Sequence, residues 1–145
     1  MQADRCYSIH LARWPEERQA LQQVREAVFV REQKVPPELE WDGLDERCLH
    51  VLATDERGDP IGTGRLLPDG HIGRMAVLKP WRGRGVGSAL LRALMEEGLK
   101  RDHGQLVLNA QLSAIPFYER AGFRAEGEIF DDAGIPHRRM VWRPS

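Results

Sequence analysis

The stretch of this chain that most clearly specifies a chemistry is Met75-Ala-Val-Leu-Lys-Pro-Trp-Arg-Gly-Arg-Gly-Val-Gly-Ser-Ala-Leu-Leu91. An apolar, strand-like run enters a turn holding Gly83, Gly85 and Gly87, and a helical pattern follows at once. Glycines let a backbone close on a ligand, and the free N–H groups at a helix start favour an anion, aided by the helix dipole. Arg82 and Arg84 add cationic side chains beside that nest. The backbone of Arg82, Gly83, Arg84, Gly85, Val86, Gly87 and Ser88 therefore reads as a cradle for a phosphate or pyrophosphate. Two nucleotide motifs fail on residues. A Walker A loop ends in Gly-Lys-Ser/Thr, but Ser88 and Ala89 follow Gly87. A dinucleotide fingerprint sits tight against its strand and meets an acidic residue at the end of the next. Here Lys79-Pro80-Trp81 intervenes, Ser88 stands where the third glycine belongs, and the next strand ends in Asn109.

Other side chains able to handle protons are scattered. Glu32, His50, His71 and His137 can each accept one, and an imidazole has the useful range near neutrality. Each has a bland reading beside the functional one. Glu32 closes a helix and can serve as an ion-pair partner, and His137, after the turn Gly134-Ile-Pro136, can be structural. Arg25, on the polar edge of the first helix, is expected to pair with a loop carboxylate. Asn109 can either cap the following helix or bond a ligand.

The elements that must position these residues are legible in outline. Cys6–Ala12 alternates as a strand, and Pro15 opens a helix with Leu21, Val24, Ala27 and Val28 on one face. Lys34–Asp45, with Pro36-Pro37 and acidic residues Glu38, Glu40, Asp42 and Asp45 (Glu46 just outside), reads as a surface loop. Leu49–Thr54 and Pro60–Leu67 form a hairpin around 55–59, and His71–Leu78 is the next strand. Gly83–Asp102 is the strongest helix. Leu106–Leu108 is a short buried strand, and Ser113–Ala121 is a helix ending at Gly122. Phe123–Phe130 and His137–Trp142 close as a second hairpin. The order β-α-β-β-β-α-β-α-β-β indicates one α/β domain over 1–145, its sheet mostly antiparallel with one crossover.

Composition excludes several classes. Lys plus Arg total 21, of which 18 are Arg, against 22 for Asp plus Glu, so no charge excess points to nucleic acid or a membrane. No apolar run approaches a membrane span, and the N-terminus lacks the apolar core of a signal peptide. Cys6 and Cys48 lack metal-like spacing and read as buried thiols, which fits a cytoplasmic protein. Oligomeric state is not encoded legibly.

Two motifs together carry a family resemblance. Arg82-x-x-Gly85-x-Gly87, between a strand and a long helix, resembles the pyrophosphate-binding motif of the GNAT (GCN5-related N-acetyltransferase) superfamily. Phe117-Tyr118-Glu-Arg-Ala-Gly122-Phe123 is similar to that family's FYxxxGF segment. The segments around Glu32 and His137 resemble its ElaA-like branch. The resemblance implies a centrally splayed sheet flanked by helices, with acyl-CoA between strands four and five as co-substrate and no metal. Pantetheine would pair with Met75, Ala76 and Val77, Asn109 and Phe117 would lie on the cofactor side, and pyrophosphate would sit on residues 82–88. It implies acetyl transfer to a primary amine by direct attack, with Tyr118 as general acid. The acceptor, small molecule or peptide, is not readable. Relatives often carry a glutamate on strand four, but His71–Leu78 has none. This leaves Glu32, His50, His71 and His137 as candidate bases, with His137 and Glu32 taken as the site residues, or water as a proton relay, and leaves open a catalytically silent acyl-CoA sensor on the same fold.

Overall fold

The computed structural model describes residues 6–144. Strand β1 (Tyr7–Ala12) leads into α1 (Trp14–Arg25), which starts with Pro15 in its first turn and runs on as a π-helical segment, Glu26–Glu32. There the Gln33 N–H reaches back five residues, to the Val28 carbonyl at 2.9 Å. After the short α2 (Pro37–Glu40) come β2 (Leu49–Asp55), β3 (Pro60–Leu66) and β4 (Ile72–Val77). Then follow α3 (Val86–Lys100), β5 (Leu106–Gln111), α4 (Ile115–Arg120), β6 (Arg124–Asp132) and β7 (Ile135–Trp142). The predicted order of strands and main helices holds, with boundaries moved by a few residues. Cys6 and Cys48 are half-buried rather than buried.

The strands form two antiparallel sheets, β1-β2-β3-β4 and β5-β7-β6. One parallel bridge, His71 to Val107, joins them, with the Val107 N–H donating to the Gly70 carbonyl at 3.0 Å. Past that point β4 and β5 part company, so the sheet is splayed at its centre.

A bulge at the splay shapes β4. Its register against β3 shifts between Thr63 and Arg65, so Arg74 and Met75 together face Gly64. Arg74 takes a left-handed backbone (φ 52) to make this turn. Helix α3 lies over β3 on a surface that only small residues allow. A Cβ at Gly62 would meet Leu90 at 2.9 Å, and one at Gly64 would meet Leu94 at 2.8 Å. Val51, Ile61, Leu66, Leu90, Leu94, Leu106, Phe123 and Met140 are all buried in the core thus formed, which ties both sheets to α3. Among the described residues no helix is long and apolar enough to cross a membrane.

The expected surface loop over 34–45 needs correction. It contains α2, and Glu40 and Asp45 are buried, 3% and 5% exposed. The Arg25 Nε donates to Glu40 at 2.7 Å and its Nη1 to Asp45 at 2.6 Å, so the expected pairing with a loop carboxylate holds. Arg65 joins Asp42 at 2.6 Å and Asp45 at 2.8 Å, while Arg74 lies 3.2 Å from both Glu40 and Asp42. Trp14 and Trp41 cover the Arg25 guanidinium. Three cations thus face three anions, which is how burial of Arg25, Glu40, Asp45 and Arg65 becomes tolerable, with Arg74 half-buried and Asp42 at the exposed edge of the network. For Asp42, burial opposes ionisation, but hydrogen bonds from Arg65 and the Leu44 amide and the nearby guanidinium charges win and pull its carboxyl down to about 2. At Glu40 burial wins instead, raising its carboxyl despite Arg74 and Arg25.

Candidate active site: a cleft between diverging sheets

At the start of α3, Gly83 and Gly85 hold left-handed conformations (φ 78 and 86), which place the turn outside the reach of most side chains. The first bond of the helix runs from the Ala89 N–H to the Gly85 carbonyl at 3.0 Å, and no side chain caps this end. The N–H groups of Val86, Gly87 and Ser88 therefore lack helical acceptors. Ser88 also borders a groove of about 280 Å³ between α3 and α4, whose floor is Leu91, Met95 and Phe117 and whose rim carries Arg92 and Arg120. The Phe117 ring lies 3.4 Å from where a Gly87 Cβ would sit.

Both turn arginines are already engaged. Arg82 grips Glu32 with both terminal nitrogens at 2.7 Å, and its Nε donates to the Val77 carbonyl at 2.9 Å. The hydrogen bonds from Arg82 hold the Glu32 carboxyl below its usual range. The Arg84 guanidinium lies over Trp81, 4.8 Å from the ring centre.

Along β4 the Leu78 N–H donates to the Ile61 carbonyl at 2.9 Å. Because antiparallel pairing alternates, Val77 turns its own N–H toward the open edge. The earlier part of β4, Ile72 to Met75, borders a larger cleft of about 520 Å³, also lined among others by Asn109, Tyr118, His71 and His137. Asn109 is exposed on β5. Tyr118 is half-buried, and among the described residues no protein group hydrogen-bonds its hydroxyl. Burial pushes that phenol up to about 12, so it stays protonated. His137 is 9% exposed and stacks on Phe130. Its Nδ1–H donates to the Ile135 carbonyl at 2.7 Å, which leaves Nε2 as the acceptor nitrogen.

The cleft brings Tyr118, His137, Asn109 and Met75 together. Glu32 and His50 are not part of its lining. His50 is fully buried, donates from Nε2 to the Asp45 carbonyl at 2.9 Å and stacks on Trp14. Sequence reasoning passed over Asp69, which sits in the lining beside His71. It also missed Gln33, whose Oε1 accepts from Gln111 at 2.9 Å and ties the π-helical segment to the end of β5. The one available sign was the Asp69-Gly70-His71 spacing.

Residues 17–144 match the acetyltransferase (GNAT) domain family.

The chain belongs to that family.

This GNAT protein is similar to the Bacillus subtilis protein YjcF, named an uncharacterized N-acetyltransferase, with 42% identity over 122 residues, 81% of this chain and 86% of that one. Escherichia coli ElaA is 32% identical over 130 residues, 84% of each chain. The crystal structure of ElaA superposes with a TM-score of 0.84 at 27% identity, covering 94% of this chain and 99% of that one. An acyl-CoA N-acyltransferase from Pseudomonas aeruginosa superposes at 0.83 with 31% identity and the same coverage. The GNAT assignment read from the two motifs and the ElaA-like branch read from the segments around Glu32 and His137 therefore hold, and the protein is an acetyltransferase whose fold implies acyl-CoA as co-substrate.

Proposed function

We propose that this GNAT enzyme transfers an acetyl group from acetyl-CoA to a primary amine by direct attack inside the larger cleft. The observation that carries this reading is the shared space. The unbonded Tyr118 hydroxyl and His137 line one cavity beside the open edge of β4. Acetyl-CoA supplies an activated thioester. The amides of residues 82–88 suit its pyrophosphate, and the groove with Phe117, Arg92 and Arg120 suits the nucleotide end. Met75, Ala76 and Val77 offer a strand edge to the pantetheine amides, with Asn109 across the gap. The Val77 N–H is aimed to polarise the thioester oxygen.

An amine of lysine type, with a pKa near 10.4, is only about 0.04% neutral at pH 7, so proton removal is part of the work. His137 takes a proton from nitrogen at Nε2 as the C–N bond forms. Tyr118 protonates sulfur as the C–S bond breaks. A phenol near 12 giving its proton to a thiolate of about 8.5 is uphill by about 5 kcal/mol, and the same dry surroundings that raise the phenol also raise the thiol and narrow the gap. We give Glu32 no proton step, since its carboxylate is committed to Arg82, and read it as a charge beside the cradle.

The test is a panel of primary amines with acetyl-CoA, read by release of free thiol. Thiol release that needs both the amine and acetyl-CoA supports the reading. A folded protein that binds acetyl-CoA yet acetylates no amine across a broad panel overturns it.

A further inference from the structure

Amine acetylation removes two protons from nitrogen: R–NH₃⁺ and acyl–S–CoA become R–NH–acyl, CoA–SH and H⁺. One proton ends on sulfur and the other must leave for solvent. Tyr118 serves sulfur, and His137, nearly buried, is suited to a proton that stays inside the cleft. The proton bound for solvent needs an acceptor that faces both the cleft and water.

His71 meets both conditions. It lines the same cleft, and its side chain is 39% exposed. It stands at the closed end of the splay, where its backbone bridges to Val107. Its Nδ1 lies 3.0 Å from Asp69 Oδ1, and the same oxygen accepts the His71 amide N–H at 3.1 Å. The Nδ1 contact is a charge contact and not an aligned hydrogen bond, but Asp69 is exposed enough to turn into line. With Nδ1–H directed at this carboxylate, Nε2 carries the lone pair, and a carboxylate behind an imidazole stabilises the imidazolium once formed. The other charged groups around the cleft do not compete for it. Glu40 is matched to Arg25 and Arg74, and Arg65 to Asp42 and Asp45. Asp132 on β6 lines the cleft with the same sign as Asp69, and His103 lies against Gly70 behind the turn.

We propose that His71, positioned by Asp69, takes the first proton from the acceptor ammonium and releases it to water, before His137 and Tyr118 act. The free amine then attacks the thioester carbon. Nitrogen loses its second proton to His137, and sulfur gains one from Tyr118. The Tyr118 phenolate recovers the proton held by His137. Asp69 is a positioning residue and exchanges no proton.

This inference rests on the amine-acetylation reading, and its test separates the two. Two amines of unequal basicity serve as probes: Nα-blocked lysine amide, with a pKa near 10.4, and glycinamide, near 8. His71→Gln is expected to lower kcat/KM for the lysine amine about 10²-fold at pH 7. For glycinamide at pH 9, where about nine-tenths is already neutral, it is expected to lower it less than about 3-fold. His137→Gln should lose activity to a similar degree with both amines at both pH values. Asp69→Asn, which can still accept the His71 amide, should show a weaker version of the His71→Gln pattern. Nitrogen NMR of the resting protein should find His71 with hydrogen on Nδ1. Equal loss with both amines in His71→Gln, or hydrogen on Nε2 of resting His71, would overturn the proposal. Wild-type protein inert toward both amines would overturn the acetylation reading and the inference with it. Thermal melts and acetyl-CoA binding, both expected to be unchanged in His71→Gln, exclude loss of fold as the cause.

Discussion

Glu32 and Arg82, fifty residues apart, face each other in a two-pronged ion pair at the entrance to the anion cradle, with both contacts at 2.7 Å. The pair is about two-fifths exposed on each side, so it adds little to stability. Its importance is local charge, because Glu32 neutralises a guanidinium beside the site where a pyrophosphate would sit. Glu32→Gln should therefore tighten acetyl-CoA binding by about 3- to 5-fold at low ionic strength, with the gain shrinking as salt rises. Titration calorimetry at two salt concentrations checks this. Weaker binding would mean that Glu32 holds the turn in shape.

Acetyl-CoA at 10 to 100 times its dissociation constant should stabilise the fold by about 1.4–2.7 kcal/mol. Gly85→Asp should abolish that shift, because it puts a side chain at φ 86 and a negative charge among the free amides. A thermal melt unmoved by millimolar acetyl-CoA in the wild type would dismiss the cradle.

Tyr118→Phe should keep acetyl-CoA affinity and lower turnover about 10²-fold, since the unbonded hydroxyl faces the cleft. With its phenol pushed up to about 12, Tyr118 should leave no alkaline limb below pH 10 in the rate profile. Single-turnover kinetics isolate the chemical step. Unchanged rates would return the ring to packing, where it meets Phe117 and Phe123.

Acid stability should depend on Asp42. Its folded carboxyl sits near 2 against an ordinary 3.8, so the group contributes stability that is fully present above about pH 4 and is lost as pH falls toward 2. Asp42→Asn should lower the melting temperature at pH 7 and flatten its fall between pH 4 and 2. Melting curves at half-unit steps test the slope, and parallel curves for variant and wild type would remove Asp42 from the account.

Much of this was legible in the chain because it depends on local rules. Alternating apolar residues marked Leu49–Thr54, glycines marked the turn before α3, and Gly122 marked the end of α4, where it holds φ 105. What escaped depends on distant partners. Nothing local says that Arg74 adopts a left-handed backbone, because its partners Glu40 and Asp42 lie more than thirty residues away. The π-helical widening at Glu26–Glu32 likewise leaves the apolar spacing of α1 intact. The acidic run over 38–46 looked solvated because charge and proline usually mean surface, and only the three-dimensional fold brings Arg25, Arg65 and Arg74 under it. The cleft lining was legible in part. Tyr118 and His137 stood out by motif and turn, while Asp69 offered only its spacing from His71.

The buried ionic network has a consequence for how such a sequence can drift. Removing one member strands its partner in a dry interior, a loss of about 3–5 kcal/mol, whereas replacing a whole matched set by hydrocarbon can be neutral or favourable. Arg25, Glu40, Asp45 and Arg65, its buried members, should therefore behave epistatically: each tolerated alone in only one identity, yet exchangeable as a block. Among homologues these four positions should change together or not at all. A directed library varying them jointly should contain folded members that no path of single stable steps can reach.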